Sequence, residues 1–122
     1  MNYEIKITDH KHPIPYVVFE DKANDLLGEF LLAERSFRRE ILSVTNDVDL
    51  GLSESESFSG NAFTLEINKD LCKITNDADN RELAISTKDF KAVLLDYIYA
   101  LREIKVKEKI ASQEHDHAHH HH

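Results

Sequence analysis

The chain predicts an α+β domain, a mainly antiparallel sheet of four to six strands with one face covered by two helices. Three observations carry this expectation. NYEIKIT at the start alternates apolar and polar residues with the period of a strand, and FTLEI does so again in the middle. LEINKDLCKIT places Asn68-Lys-Asp70 between two such runs, a hairpin signal. Phe90, Leu94, Tyr97, Leu101 and Ile104 follow one another at alternating four- and three-residue steps, the stripe of an amphipathic helix.

Taken in order, Tyr3, Ile5 and Ile7 share one side of the first strand, and Asn2, Glu4, Lys6 and Thr8 the other. Pro13 and Pro15 punctuate the chain before PYVVFE, whose β-branched and aromatic residues suit a second strand. From Asn24 to Asn46 the apolar spacing turns helical. Ser36 is placed to cap a helix from Phe37 to about Thr45, or the helix starts near Asn24 and carries Gly28; GEFLLAE also reads as a strand, and spacing alone does not decide. Leu83 to Ile85 forms a short further strand. Ser86-Thr-Lys-Asp89 opens the last helix with a shortened capping box, and Lys88, Lys91, Arg102 and Lys105 occupy the face opposite the apolar stripe. The expected core includes Ile5, Val18, Ile41, Leu65, Ile74, Leu94 and Leu101.

With 122 residues the chain has the length of one domain, expected over residues 1–110. Residues 111–122 are expected to be a flexible His-rich tail; its last eight hold six of the eight histidines and read as an expression tag, the other reading being a natural metal-binding tail. The 23 acidic side chains outnumber the 15 basic ones, and removing the tail's Glu114 and Asp116 leaves the domain acidic. Arg35 to Arg39 and Lys105 to Lys109 are interrupted by Glu103, Glu108 and the adjoining Glu40, so no basic stripe stands out, and no direct contact with nucleic acid is expected. A single cysteine excludes an internal disulfide, no apolar run approaches the length of a membrane span, and the N-terminus lacks the pattern of a signal peptide. A cytoplasmic protein with no membrane contact is expected.

Catalytic chemistry is sparse. Outside the tail only His10 and His12 could serve as bases, beside a proline turn, with no third metal ligand at a suitable spacing; Cys72 shares a strand face with Ile74 and reads as a small buried hydrophobe. Glu34 with Arg38, and Asp89 with Lys88 or Lys91, read as solvated surface pairs. No glycine-rich phosphate loop or nucleophile elbow is present, so no enzyme, cofactor or metal site is expected. What remains is DVDLGLSESESFSGNAFTLEI. Asp47, Asp49, Glu54, Glu56 and Glu66 can form a negative surface beside a hairpin edge, where it would steer a basic partner, with Phe58 as an anchor; alternatively the stretch is a solvated loop and Phe58 pins it to the core.

LLAERSFRREI before the acidic stretch, and FSGNAFTLEINKD followed by ISTKDFKAVLLDYIYAL after its start, together resemble small bacterial immunity proteins of polymorphic-toxin and contact-dependent growth inhibition systems. The resemblance covers most of residues 1–105, with Ser36-Phe37 as a helix start and Ser59-Gly-Asn61 as a turn into a strand. It implies a cytoplasmic protein that binds and neutralises one cognate toxin domain, often a nuclease. A nuclease presents a basic groove to phosphates, which an acidic inhibitor surface can cover. The other functional expectation is a small structural or adaptor protein without a toxin partner.

Overall fold

The computed structural model describes the backbone of residues 1–119, and the side chains as far as Gln113. The chain opens with the hairpin β1 (Tyr3–Ile7) and β2 (Pro15–Phe19), passes through a 3-10 turn at Lys22–Asn24, and forms helix α1 (Asp25–Ala33). A second 3-10 turn at Arg35–Phe37 leads into α2 (Arg38–Asp49). Four strands follow, β3 (Ser55–Ser59), β4 (Phe63–Asn68), β5 (Leu71–Asn76) and β6 (Glu82–Ser86), and then α3 (Thr87–His119). The fold is α+β, as the alternation predicts, with the strands divided between a two-stranded sheet β1-β2 and a four-stranded sheet β3-β4-β5-β6. Every pairing is antiparallel.

The pleat explains how the larger sheet meets the helices. Phe63, Leu65 and Ile67 of β4, Cys72 and Ile74 of β5, and Ile85 of β6 are buried on one face, and the intervening Thr64, Glu66, Lys73 and Ala84 turn to the other. α1 packs on β2, β5 and β6, α2 on β3 and β4, and α3 on α2, β2, β5 and β6, so α1 and α3 touch both sheets. Phe30 of α1 sits at the meeting point. Its ring lies edge-on to Phe58 of β3 and Phe63 of β4, at 6.5 and 5.8 Å, and 6.0 Å from Phe90 of α3. Such aromatic contacts contribute about 0.5–1.5 kcal/mol each beyond the area they bury.

The hairpin is fastened to α3 by two phenols. Tyr97 is buried and donates to the Pro15 carbonyl at 2.8 Å, and Tyr3 donates to the Asp96 carboxylate. At the start of α3, Ser86 Oγ accepts from the Asp89 amide at 3.1 Å, the cap its sequence predicts. Thr87 Oγ1 donates to the Asn68 carbonyl at 2.7 Å, tying the helix start to the β4–β5 turn.

Several expectations are corrected. GEFLLAE is helical: Leu26, Leu27, Phe30 and Leu31 are buried along one side of α1, a spacing a strand would split between two faces. Ser36 does not cap α2; it lies in the 3-10 turn, and α2 starts at Arg38 and runs beyond Thr45 to Asp49. Of the expected core, Ile41, Leu65, Ile74 and Leu94 are buried and Ile5 and Leu101 pack against them, but Val18 turns outward because the alternation of β2 commits Val17 and Phe19 to the inside.

Two ion pairs also differ. Glu34 is fully buried rather than paired with Arg38. Its carboxylate accepts from the amides of Asn61 at 2.7 Å and of Ala62 and Phe63 at 3.2 Å, and so holds the β3–β4 turn against the end of α1. Arg38 donates instead to the Arg35 carbonyl. Lys91 reaches Asp49 of α2 at 2.7 Å, not Asp89.

Candidate functional site

α2 buries Ile41, Thr45 and Val48, at four- and three-residue steps, and this stripe turns Asp47 and Asp49 away from the core on either side of Val48. The helix ends at Asp49, and two residues on stands Gly51, whose φ of 77° lies in the left-handed region that favours glycine. The turn is closed by backbone bonds from Leu50 N to Asn46 O at 2.8 Å and from Gly51 N to Val48 O at 3.1 Å. The Asp47 carbonyl takes two more, from Leu52 at 2.8 Å and Ser53 at 3.1 Å. Ser53 Oγ then donates to Glu56 at 2.8 Å.

The consequence is an ordered corner that holds two leucines out. Leu50 is 69% exposed and Leu52 74%. Asp47, Asp49 and Glu54 lie within three residues of them in the chain, and Leu52 is held to the Asp47 carbonyl. Among the described residues the carboxylates of Asp47 and Glu54 make no hydrogen bond or ion pair, whereas Asp49 is occupied by Lys91. Carboxylates at a helix C-terminus work against its macrodipole, at a cost of about 0.3–1 kcal/mol each, and Lys91 relieves only one.

The remaining predicted residues sit elsewhere on the same strand or across the sheet. The stretch whose alternative reading is a solvated loop contains β3, an edge strand paired with β4. Glu56 and Phe58 are half-buried on its helix-facing side. Phe58 touches the rings of Phe30 and of Phe37, the latter at 5.7 Å, and thus pins β3 to the core. Glu66 lies on the opposite sheet face, in an ion pair with Lys73 at 3.2 Å. The structure therefore brings Asp47, Asp49 and Glu54 to one corner and separates Glu66 from them.

Leu50 and Leu52 are what sequence reading missed. The signal was present: carrying the apolar stripe of α2 one step past Thr45 reaches Val48, and Gly51 just beyond is a helix stop that leaves a leucine on either side.

Cys72 is buried, its thiol pushed up to about 11 by burial, with the contact to Thr87 Oγ1 at 3.4 Å acting in the opposite sense. His10 and His12 are exposed in the β1–β2 connection. Among the described residues no three His, Cys, Asp or Glu side chains gather in a way that could hold a metal ion, and no helix is long and apolar enough to cross a membrane. A hollow of about 530 Å³ on the outer face of the larger sheet is lined by Ser55, Ser57, Glu66, Asn68, Leu71 and Lys73. In comparisons with known proteins, no family model, no curated protein and no solved structure matches the chain.

Proposed function

We propose that this protein is a stoichiometric inhibitor, an immunity protein that binds one cognate toxin domain through the acidic corner between α2 and β3. The observation that carries the reading is the exposure of Leu50 and Leu52 beside the carboxylates of Asp47 and Glu54, which have no partner among the described residues. An apolar pair held by an ordered turn loses little conformational freedom on docking, and charges around it select a basic partner and speed the encounter. The resemblance described above supplies the partner class: a toxin domain whose substrate groove is basic, as a nuclease's must be to hold phosphates. Covering that groove, or a basic surface beside it, requires no catalytic residue in the inhibitor.

The test is to purify the protein with the product of the reading frame that precedes its gene. A one-to-one complex on size-exclusion chromatography, with the partner's nuclease activity lost on titration, is the expected result. A complex that leaves that activity intact would make the protein an adaptor, and no complex at micromolar concentration would remove the reading altogether.

A further inference from the structure

The fold assembles a second charged site of opposite sign. Arg38 and Arg39 of α2 and Arg102 and Lys105 of α3 converge on a hollow of about 210 Å³ between the two helices, with Leu42 and Ile98 as its apolar lining. No carboxylate among the described residues lines it. Among the described residues none of the four cations has an ion-pair partner, and the one hydrogen bond they make within the fold is from Arg38 Nη1 to the Arg35 carbonyl at 3.1 Å. In a chain with a net charge of −8 this is an unexpected concentration. It is also costly: Arg38 and Arg39 stand in the first turn of α2, where the macrodipole disfavours cations, and the four like charges repel one another.

We propose that this hollow is an anion-binding site for a small phosphate ester. Three arginines and a lysine suit a tetrahedral oxyanion, because each guanidinium offers a planar fork of donors that engages two oxygens at once. A phosphate monoester carries about −1.5 to −2 charges at pH 7, enough to offset the repulsion among several cations, where a single carboxylate would leave most of it standing. The hollow is smaller than the roughly 300–1,000 Å³ of sites that enclose drug-sized ligands, so it accommodates the phosphate and a short stem, with Leu42 and Ile98 meeting the apolar part. An oligonucleotide backbone repeats its charge along the strand and would need a longer cationic track than these four side chains provide.

The site is independent of the toxin-binding corner. Arg38 and Arg39 mark the opposite end of α2 from Asp47 and Asp49, so success or failure of one reading leaves the other unchanged.

The experiment is a titration of the full chain with phenyl phosphate, followed by amide NMR shifts. It is run at about pH 8, where the ester is fully dianionic. Inorganic phosphate, a phosphoserine peptide and a short RNA are titrated in parallel. Saturable shifts centred on Leu42 and Ile98 are expected, with an affinity that falls at least about tenfold in Arg39→Gln/Arg102→Gln, a double variant of exposed residues whose fold is checked by circular dichroism. Three outcomes overturn the proposal: no saturation by about 10 mM phenyl phosphate; an unchanged affinity in the folded double variant; or binding confined to the phosphopeptide or the RNA.

Discussion

The Glu34 carboxylate and Gly60 lie so close that a Cβ added to Gly60 would stand 2.0 Å from Glu34 Oε2. The backbone of the β3–β4 turn therefore wraps directly onto the carboxylate, which accepts three consecutive amides. Glycine is required here because any side chain would displace the group that organises the turn.

Replacing either residue should destabilise the protein. Glu34→Ala leaves three amides without their acceptor, and a loss on the order of 3 kcal/mol is expected in urea denaturation. Gly60→Ala should cost a comparable amount through the clash. In the double variant the clash has nothing to meet, so the two losses should sum to more than the double loss by about 1 kcal/mol or more. Strict additivity would mean that the two do not share one device.

The α3 stripe can be tested by truncation. Leu94 is fully buried, and Leu94→Ala should lower stability by about 2–5 kcal/mol. Leu95, the next residue, is 44% exposed, and its truncation should cost under about 1 kcal/mol. Equal effects would place the helix face wrongly.

At the acidic corner the kinetic consequences should separate by residue type. If the proposed toxin domain is the partner, Asp47→Asn/Glu54→Gln should slow its association and flatten the salt dependence, whereas Leu50→Ala/Leu52→Ala should act on dissociation, with the fold intact in both. Asp49→Asn should change the on-rate less than Asp47→Asn, since Lys91 already balances Asp49. On-rates unchanged across the charge variants at two ionic strengths would exclude steering by this corner.

Alkaline pH should loosen the fold. Burial pushes the Cys72 thiol up to about 11 and the Tyr97 phenol up to about 12, with Arg35 and Arg38 opposing the latter shift. Tyr3, raised to about 12 by burial and then by Asp96, adds in the same sense. These groups ionise first in the unfolded chain, so the stability they contribute is complete below about pH 9 and falls as pH rises toward about 12. A denaturation midpoint constant from about pH 8 to 11 would contradict this.

How far the sequence was legible depended on how local the cause was. β1, β4, β5 and α3 follow from alternation, a turn or a cap contained in a few residues, and the structure places them accordingly. β3 was hidden because SESFS has only one apolar residue; it is a strand through its ladder to β4 and the seat of Phe58 among Phe30 and Phe37. Glu34 read as a surface acid because its partners are backbone amides of Asn61, Ala62 and Phe63, which no side-chain pattern announces. The basic hollow was obscured in the same way: Arg38 and Arg39 are followed at once by Glu40 and Arg102 by Glu103, and only the packing of α2 on α3 gathers the cations. Of the predicted binding residues, Asp47, Asp49 and Glu54 came together because they flank one turn.

The order of strands has a consequence for how the chain reaches this state. Each strand pairs with its neighbour in sequence, β1 with β2 and β3 through β6 in turn, so every ladder closes across a short connection at little entropic cost. The contacts that span long stretches of chain are those of docking, Phe30 on Phe90 and Tyr97 on Pro15. Hairpins can therefore form and dissolve repeatedly before α3 commits the molecule. The docking of α3, which follows all six strands in the chain, is the step that turns a set of local ladders into a cooperative whole.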